Sequence, residues 1–172
     1  RLSTYPMRST DVSVVLDLMI HDLEILRAIE KSPVAALDAA GVAVFSESED
    51  IANARIRFES GCVANITSSR VSMDKMRKIR IFEEDAYVST DYSEQEVRVF
   101  RKKSGSLPSG ATPMDRISVE TLPVVRAEPL RLELESFVSC VRERKRPVVD
   151  GEDALAALVL AQQILDFIDA HA

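Results

Sequence analysis

Apolar residues in the stretch 11–29 recur at helical spacing, with Val15, Leu18, Met19, Ile25, Leu26 and Ile29 on one side and Leu16, Ile20 and Leu23 on its flank. A largely buried helix is predicted there. Its polar residues fall mostly on one remaining stripe, where Asp17, His21 and Glu24 stand at i, i+4 and i+7, so that the first two can touch. Asp22 instead falls on the apolar stripe, where a carboxylate needs a backbone amide or an arginine to hold. Ser32 and Pro33 end the pattern.

The period then changes from helical to alternating. Residues 34–45, rich in valine and alanine, predict a strand with a kink or bulge near Gly41. Residues 51–59 set Ala52, Ala54, Ile56 and Phe58 against Asn53, Arg55, Arg57 and Glu59, a half-buried strand. Ser60 and Gly61 read as a two-residue turn into a returning strand at 62–71. Further strands are predicted at 77–83, 86–90, 96–101 and 117–125, the last an edge because of Pro123. Residues 2–5 also read as strand. Between strands, 102–115 is a glycine- and proline-containing loop without a period. Two helices close the chain, one opened by Pro129 and ending in the basic run 142–146, the other at 152–170. This order predicts an α+β fold: a mainly antiparallel, open-faced sheet with helices on one face.

Composition narrows the function classes. At 172 residues and 46% hydrophobic the chain can bury a core, and its net charge of −6 with both signs scattered argues against nucleic acid or an anionic membrane as partner. Aromatics at 5% leave little for stacking on bases. No apolar run is expected to reach bilayer length. The two cysteines, Cys62 and Cys140, have no metal-ligand spacing and read as reduced thiols, so a cytoplasmic location is expected.

The chemistry to weigh lies on the first helix. An acid beside an imidazole can orient the ring, and such a ring can accept a proton from a substrate hydroxyl. On spacing alone, a helical Asp/His pair such as Asp17 and His21 is more often a surface contact or a satisfied core histidine. A metal site made of Asp17, His21 and Glu24 is disfavoured, because three ligands on one helix rarely wrap a metal and no second cluster accompanies them. His171, in the tail, is assigned no role.

Two motifs carry a family resemblance. Asp17-Leu18-Met19-Ile20-His21-Asp22-Leu23-Glu24 resembles the D-x-G-x-H-D-x-D signature in the second domain of the Gfo/Idh/MocA oxidoreductases. Glu128-Pro129-Leu130, Glu135 and Phe137, followed by Arg146-Pro147-Val148-Val149-Asp150-Gly151-Glu152-Asp153-Ala154 and 158–161, resemble that family's closing E-P-L … E-x-x-x-F … P-V-x-G-x-D-A … A-L-x-L-A segment. Met19 and Glu24 depart from the glycine and aspartate of the first motif.

The resemblance implies a C-terminal substrate-binding and oligomerisation domain covering 1–172. Members of that family place it after an N-terminal Rossmann domain, which binds NAD or NADP. The five glycines here form no G-x-G-x-x-G and no E-K-P motif occurs, so the Rossmann domain is expected to lie outside this chain and the fragment alone to be inactive. By position, the resemblance makes His21 the acid/base acting on a sugar or polyol hydroxyl and Asp17 its neighbour. The partners it implies are a small-molecule sugar substrate, the chain's own Rossmann domain, and a second copy docked on the open sheet face. The sequence Arg8-Ser9-Thr10-Asp11-Val12-Ser13-Val14-Val15 is similar to the branch that oxidises nucleotide-linked amino sugars such as UDP-N-acetylglucosamine. On that reading Arg8 meets substrate phosphate or carboxylate. A non-catalytic scaffold that assembles partners through the sheet face is the alternative.

Overall fold

The computed structural model describes residues 1–5, 11–103, 105, 110 and 112–171, and the chain forms two compact units, Arg1–Lys75 with Glu135–Ala172, and Met76–Leu134. The class is α+β with antiparallel pairing throughout the named strands, as the residue pattern predicts. The strands hydrogen-bond as two groups, one in each unit.

In the first unit β1 (Val34–Val42), β2 (Ile51–Phe58) and β3 (Val63–Ser69) form a meander in that order. Strand β3 does not pass its pairing on to the next strand in sequence. Its outer edge at Ser69 is taken instead by the start of the chain: Leu2 bridges Ser69 in parallel, and Ser69 donates its N–H to the Arg1 carbonyl at 3.0 Å. The strand predicted at 2–5 is therefore a single bridge.

Side-chain alternation on β2 is complete. Ala52, Ala54, Ile56 and Phe58 are buried, and Asn53, Arg55 and Arg57 are exposed. The buried row packs with Val14, Val15, Met19 and Leu23 of the first helix and with Ala157, Leu160, Ala161, Ile164 and Ile168 of the last, α3 (Gly151–His171). The helices thus cover one face of this sheet. On the open face Arg55 donates to Asn65 Oδ1 at 2.9 Å and Thr67 to Asn53 Oδ1 at 2.7 Å, so its polar groups satisfy one another across the strands.

The β2–β3 connection corrects the predicted two-residue turn. Phe58 donates to the Cys62 carbonyl, leaving Glu59, Ser60 and Gly61 as a three-residue loop with Gly61 at φ 88°. The reason is register: Ala54 pairs with Ile66 and Ile56 with Ala64, apolar with apolar. A two-residue turn would shift the pairing by one and set Ile56 against Asn65, turning a polar residue toward the helices.

Strand β1 ends at Val42, three residues short of the predicted Phe45, and its irregularity lies between Val34 and Ala36 rather than near Gly41. Gly41 serves a close approach instead. A Cβ there would lie 3.1 Å from Ile168 and 2.5 Å from Glu49 Cγ, so the missing side chain is what lets α3 sit against β1.

Helix α3 also corrects the expectation about apolar runs. Its 21 residues, with mean hydropathy 1.3 over the most apolar window, are long and apolar enough to cross a bilayer. It packs on the core through Ala157, Leu160, Ala161, Ile164 and Ile168, with Gln162, Gln163 and Asp166 away from them and Leu155, Leu158 and Val159 exposed.

In the second unit β4 (Lys78–Phe82), β5 (Ala86–Asp91), β6 (Glu96–Lys102) and β7 (Ile117–Leu122) form a second meander, with β7 at an edge as Pro123 predicts. Phe82, Tyr87, Phe100 and Val119 stand in register across one face. The Phe82 and Tyr87 rings stack at 4.7 Å and Tyr87 and Phe100 at 5.0 Å, while Phe82 remains 74% exposed. Helix α2 (Pro129–Glu143) starts at proline as predicted and spans the boundary between the units.

Candidate functional site

The helix with the candidate residues starts where its apolar period does but begins irregularly. Ser13 caps it: its hydroxyl accepts the Val15 N–H at 3.1 Å, and its carbonyl accepts those of Leu16 and Asp17. Val15–Met19 then form a π turn in which the Ile20 N–H reaches back five residues to the Val15 carbonyl, and α1 (Ile20–Ile29) follows. Such a turn holds one residue more than an α-turn, and single π turns inside helices are frequent at functional sites.

That extra residue changes the expected stripe. Asp17 lies inside the π turn and is half-buried, whereas His21, the second residue of α1, is exposed. Among the described residues no hydrogen bond or ion pair joins them. The contact expected from i, i+4 spacing presumes an uninterrupted α-helix, and the wider turn between the two residues removes that premise. Glu24 is half-buried one turn further on.

Asp22 has the structural role that its apolar position implies. Its Oδ1 accepts from the Arg1 guanidinium at 3.1 Å, both side chains being largely buried. Arg8 lies outside the described residues. Among the described residues no group of three or more histidines, cysteines and acids is placed to hold a metal.

A second set of residues, which sequence reasoning passes over, hydrogen-bonds to the segment that enters this helix. Asp50 and Arg70 are fully buried and paired, Nε to Oδ1 at 2.6 Å. Asp50 Oδ2 also accepts the backbone N–H groups of Val44, Phe45 and Ser46, at 2.8, 2.6 and 3.0 Å, and Oδ1 accepts the Ser46 hydroxyl at 2.7 Å. Burial alone would raise the Asp50 carboxyl. The Phe45 N–H, the Arg70 guanidinium and the two Ser46 donors outweigh it and hold the group far below the usual carboxylate range. Arg70 extends the network by donating to the Val12 carbonyl at 2.6 Å and to the Ser48 hydroxyl at 3.3 Å. Val14 donates to the Glu49 carbonyl at 2.8 Å. On the far side Tyr5 shares a hydrogen bond with Ser46 Oγ at 3.1 Å.

The two residues do leave a trace in the sequence once the turn is right. With a loop at 59–61 the β2–β3 register pairs Ile51 with Ser69, and the next pair outward is Asp50 with Arg70, opposite charges across the ladder. A two-residue turn sets Asp50 against Val71 and hides the pair.

Two surface grooves accompany these elements without including Asp17 or His21. One of about 460 Å³ lies in the first unit between Arg27, Pro33 and Val34 and the Glu152, Leu155 and Val159 side of α3. Another of about 560 Å³ lies in the second unit along Glu94, Glu96, Arg98, Thr121 and Arg126. The described residues do not fit a dinucleotide by themselves. Their named strands pair only antiparallel, and no glycine-rich strand-to-helix turn offers backbone amides to a pyrophosphate.

Comparison with known proteins gives these elements a context. Residues 5–89, the span from the start of the first unit through most of β5, match the model of the GFO/IDH/MocA C-terminal domain. The UDP-N-acetylglucosamine 3-dehydrogenase of Acidithiobacillus ferrooxidans is 28% identical over 170 residues, covering 99% of this chain and 53% of that protein. A solved structure of that enzyme superposes with a TM-score of 0.87 at 29% identity, covering 99% of this chain and 53% of its own. An NAD-binding protein from Listeria innocua (TM-score 0.75, 18% identity, 99% of this chain and 51% of its own) shares the fold. So does levoglucosan dehydrogenase in complex with NADH and L-sorbose (TM-score 0.75, 12% identity, 99% and 55%). The chain spans about half the length of the relatives it matches. Residues 5–89 are thus similar to the GFO/IDH/MocA C-terminal domain, and the shared fold and the two motifs at opposite ends of the sequence agree with that likeness.

Proposed function

We propose that this chain is the substrate-carrying half of an NAD- or NADP-dependent dehydrogenase that oxidises a hydroxyl of a sugar or nucleotide sugar. The observation that carries the reading is the end-to-end likeness, in sequence and in fold, to an enzyme named as a UDP-N-acetylglucosamine 3-dehydrogenase. The dinucleotide then belongs to the other half of a protein about twice this length. A nicotinamide would supply the hydride acceptor, and this chain the groups that hold the sugar and take its proton.

In this reading His21 takes the hydroxyl proton as the carbinol carbon gives up its hydride. Its exposure on the surface of this chain suits a group that must meet a substrate held between two halves. Asp17, one turn before it, lies in the π turn at the start of the same helix and is its neighbour in the site, and Arg8 is assigned the substrate's phosphate or carboxylate. The domain covers 1–172, and a second copy docks on the open sheet face that carries Arg55, Arg57, Asn65 and Thr67. Sedimentation of the full-length protein as a monomer would remove that last element. The protein is assigned to the cytoplasm, where nucleotide sugars and NAD are both at hand.

The test is direct. Full-length protein incubated with UDP-N-acetylglucosamine and NAD or NADP should produce reduced nicotinamide, followed by its absorbance, and a 3-keto product. Absence of reduction with nucleotide sugars, free sugars and polyols alike would leave only an assembly role for the domain.

A further inference from the structure

The buried Asp50–Arg70 pair lies outside the residues assigned to the reaction, yet its hydrogen bonds converge on the entrance to the helix that carries them. Arg70 holds the Val12 carbonyl, two residues before the helix begins. The segment that wraps the Asp50 carboxylate ends at Glu49, whose carbonyl takes the N–H of Val14, the first helical residue. A helix entrance tied at two successive points, with Val14, Val15 and Met19 fully buried beneath it, has its height and rotation fixed over the sheet. Asp17 and His21 lie one and two turns further along.

We propose that Asp50 and Arg70 are positioning residues for the dehydrogenase reaction, setting through Val12 and Glu49 the placement of the π turn and of His21. The inference rests on the reading of His21 as the acid/base. An ion pair is suited to the task because its geometry is directional. The guanidinium fork reaches Asp50, Val12 and Ser48 from one rigid plane, and a lysine at the same place offers a point charge that cannot hold all three.

Arg70→Lys in the full-length protein keeps the charge and removes the fork. Amide hydrogen exchange should then rise about tenfold at residues 14–21, while β2 and β3 stay protected. With UDP-N-acetylglucosamine and NAD as the probe substrates, kcat should fall roughly tenfold to a hundredfold, the scale of a misplaced catalytic group, with little change in KM. In the Arg70→Lys/His21→Gln double variant the two losses should not multiply, because one residue acts through the other. Unchanged local exchange, unchanged kcat in the folded variant, or losses that multiply would each overturn the proposal. Normal turnover in His21→Gln alone would instead overturn the acid/base reading, with the exchange measurement still deciding whether the pair holds the helix. Should Arg70→Lys fail to fold, Ser46→Ala removes one donor from Asp50, leaves the ion pair, and is read the same way with a smaller loss.

Discussion

Full-length protein carrying His21→Ala is expected to lose about a hundredfold or more in turnover, the range in which a general base contributes. The substitution removes an exposed side chain from the second residue of α1, where no core contact depends on it. Fold and stability should therefore be close to wild type, and a melting curve checks that first. The loss should fall on kcat and kcat/KM together, because a proton acceptor is engaged as the hydroxyl reacts rather than when the sugar docks. A variant that turns over like the wild type removes His21 from the chemistry. One that raises only KM makes it a binding residue.

Asp50→Ala should be the costliest single change to stability in the first unit, about 3–5 kcal/mol, the penalty for removing one partner of a buried pair. Arg70 would be left charged and fully buried, and the N–H groups of Val44, Phe45 and Ser46 would lose their shared acceptor. Denaturant unfolding at neutral pH measures it, and a loss under about 1 kcal/mol would rank the pair with ordinary surface ion pairs. The same carboxylate gives a pH signature. Its folded value lies below the ordinary one, so its stabilisation is complete above about pH 4 and is lost as pH falls through the folded value. The stability gap between wild type and Asp50→Ala should accordingly narrow in acid and stay constant from pH 5 to 7.

Much of the architecture is legible from the residue pattern, and what escapes it escapes for identifiable reasons. Strand β2 reads directly because its alternation is unbroken, and α2 because Pro129 marks its start. Strand β1 reads three residues too long because valine and phenylalanine at 44 and 45 suit a strand, whereas their amides turn to the Asp50 carboxylate. That diversion depends on a residue five or six positions later, which a local window does not weigh. The candidate site is half legible in the same way. The composition of the first helix marks Asp17 and His21, but the π turn between them has no compositional signature and alters their relation. Asp50 and Arg70 sit among serines and acids at strand ends, where isolated charges read as solvated, and only the correct register sets them face to face.

The loop at Glu59–Gly61 constrains how this chain can vary. A slip of the pairing by one residue would exchange the two faces of β3 and separate Asp50 from Arg70, whereas a residue absorbed into the loop would leave both intact. The register of the hairpin, more than the length of its loop, is therefore what natural or engineered versions must keep.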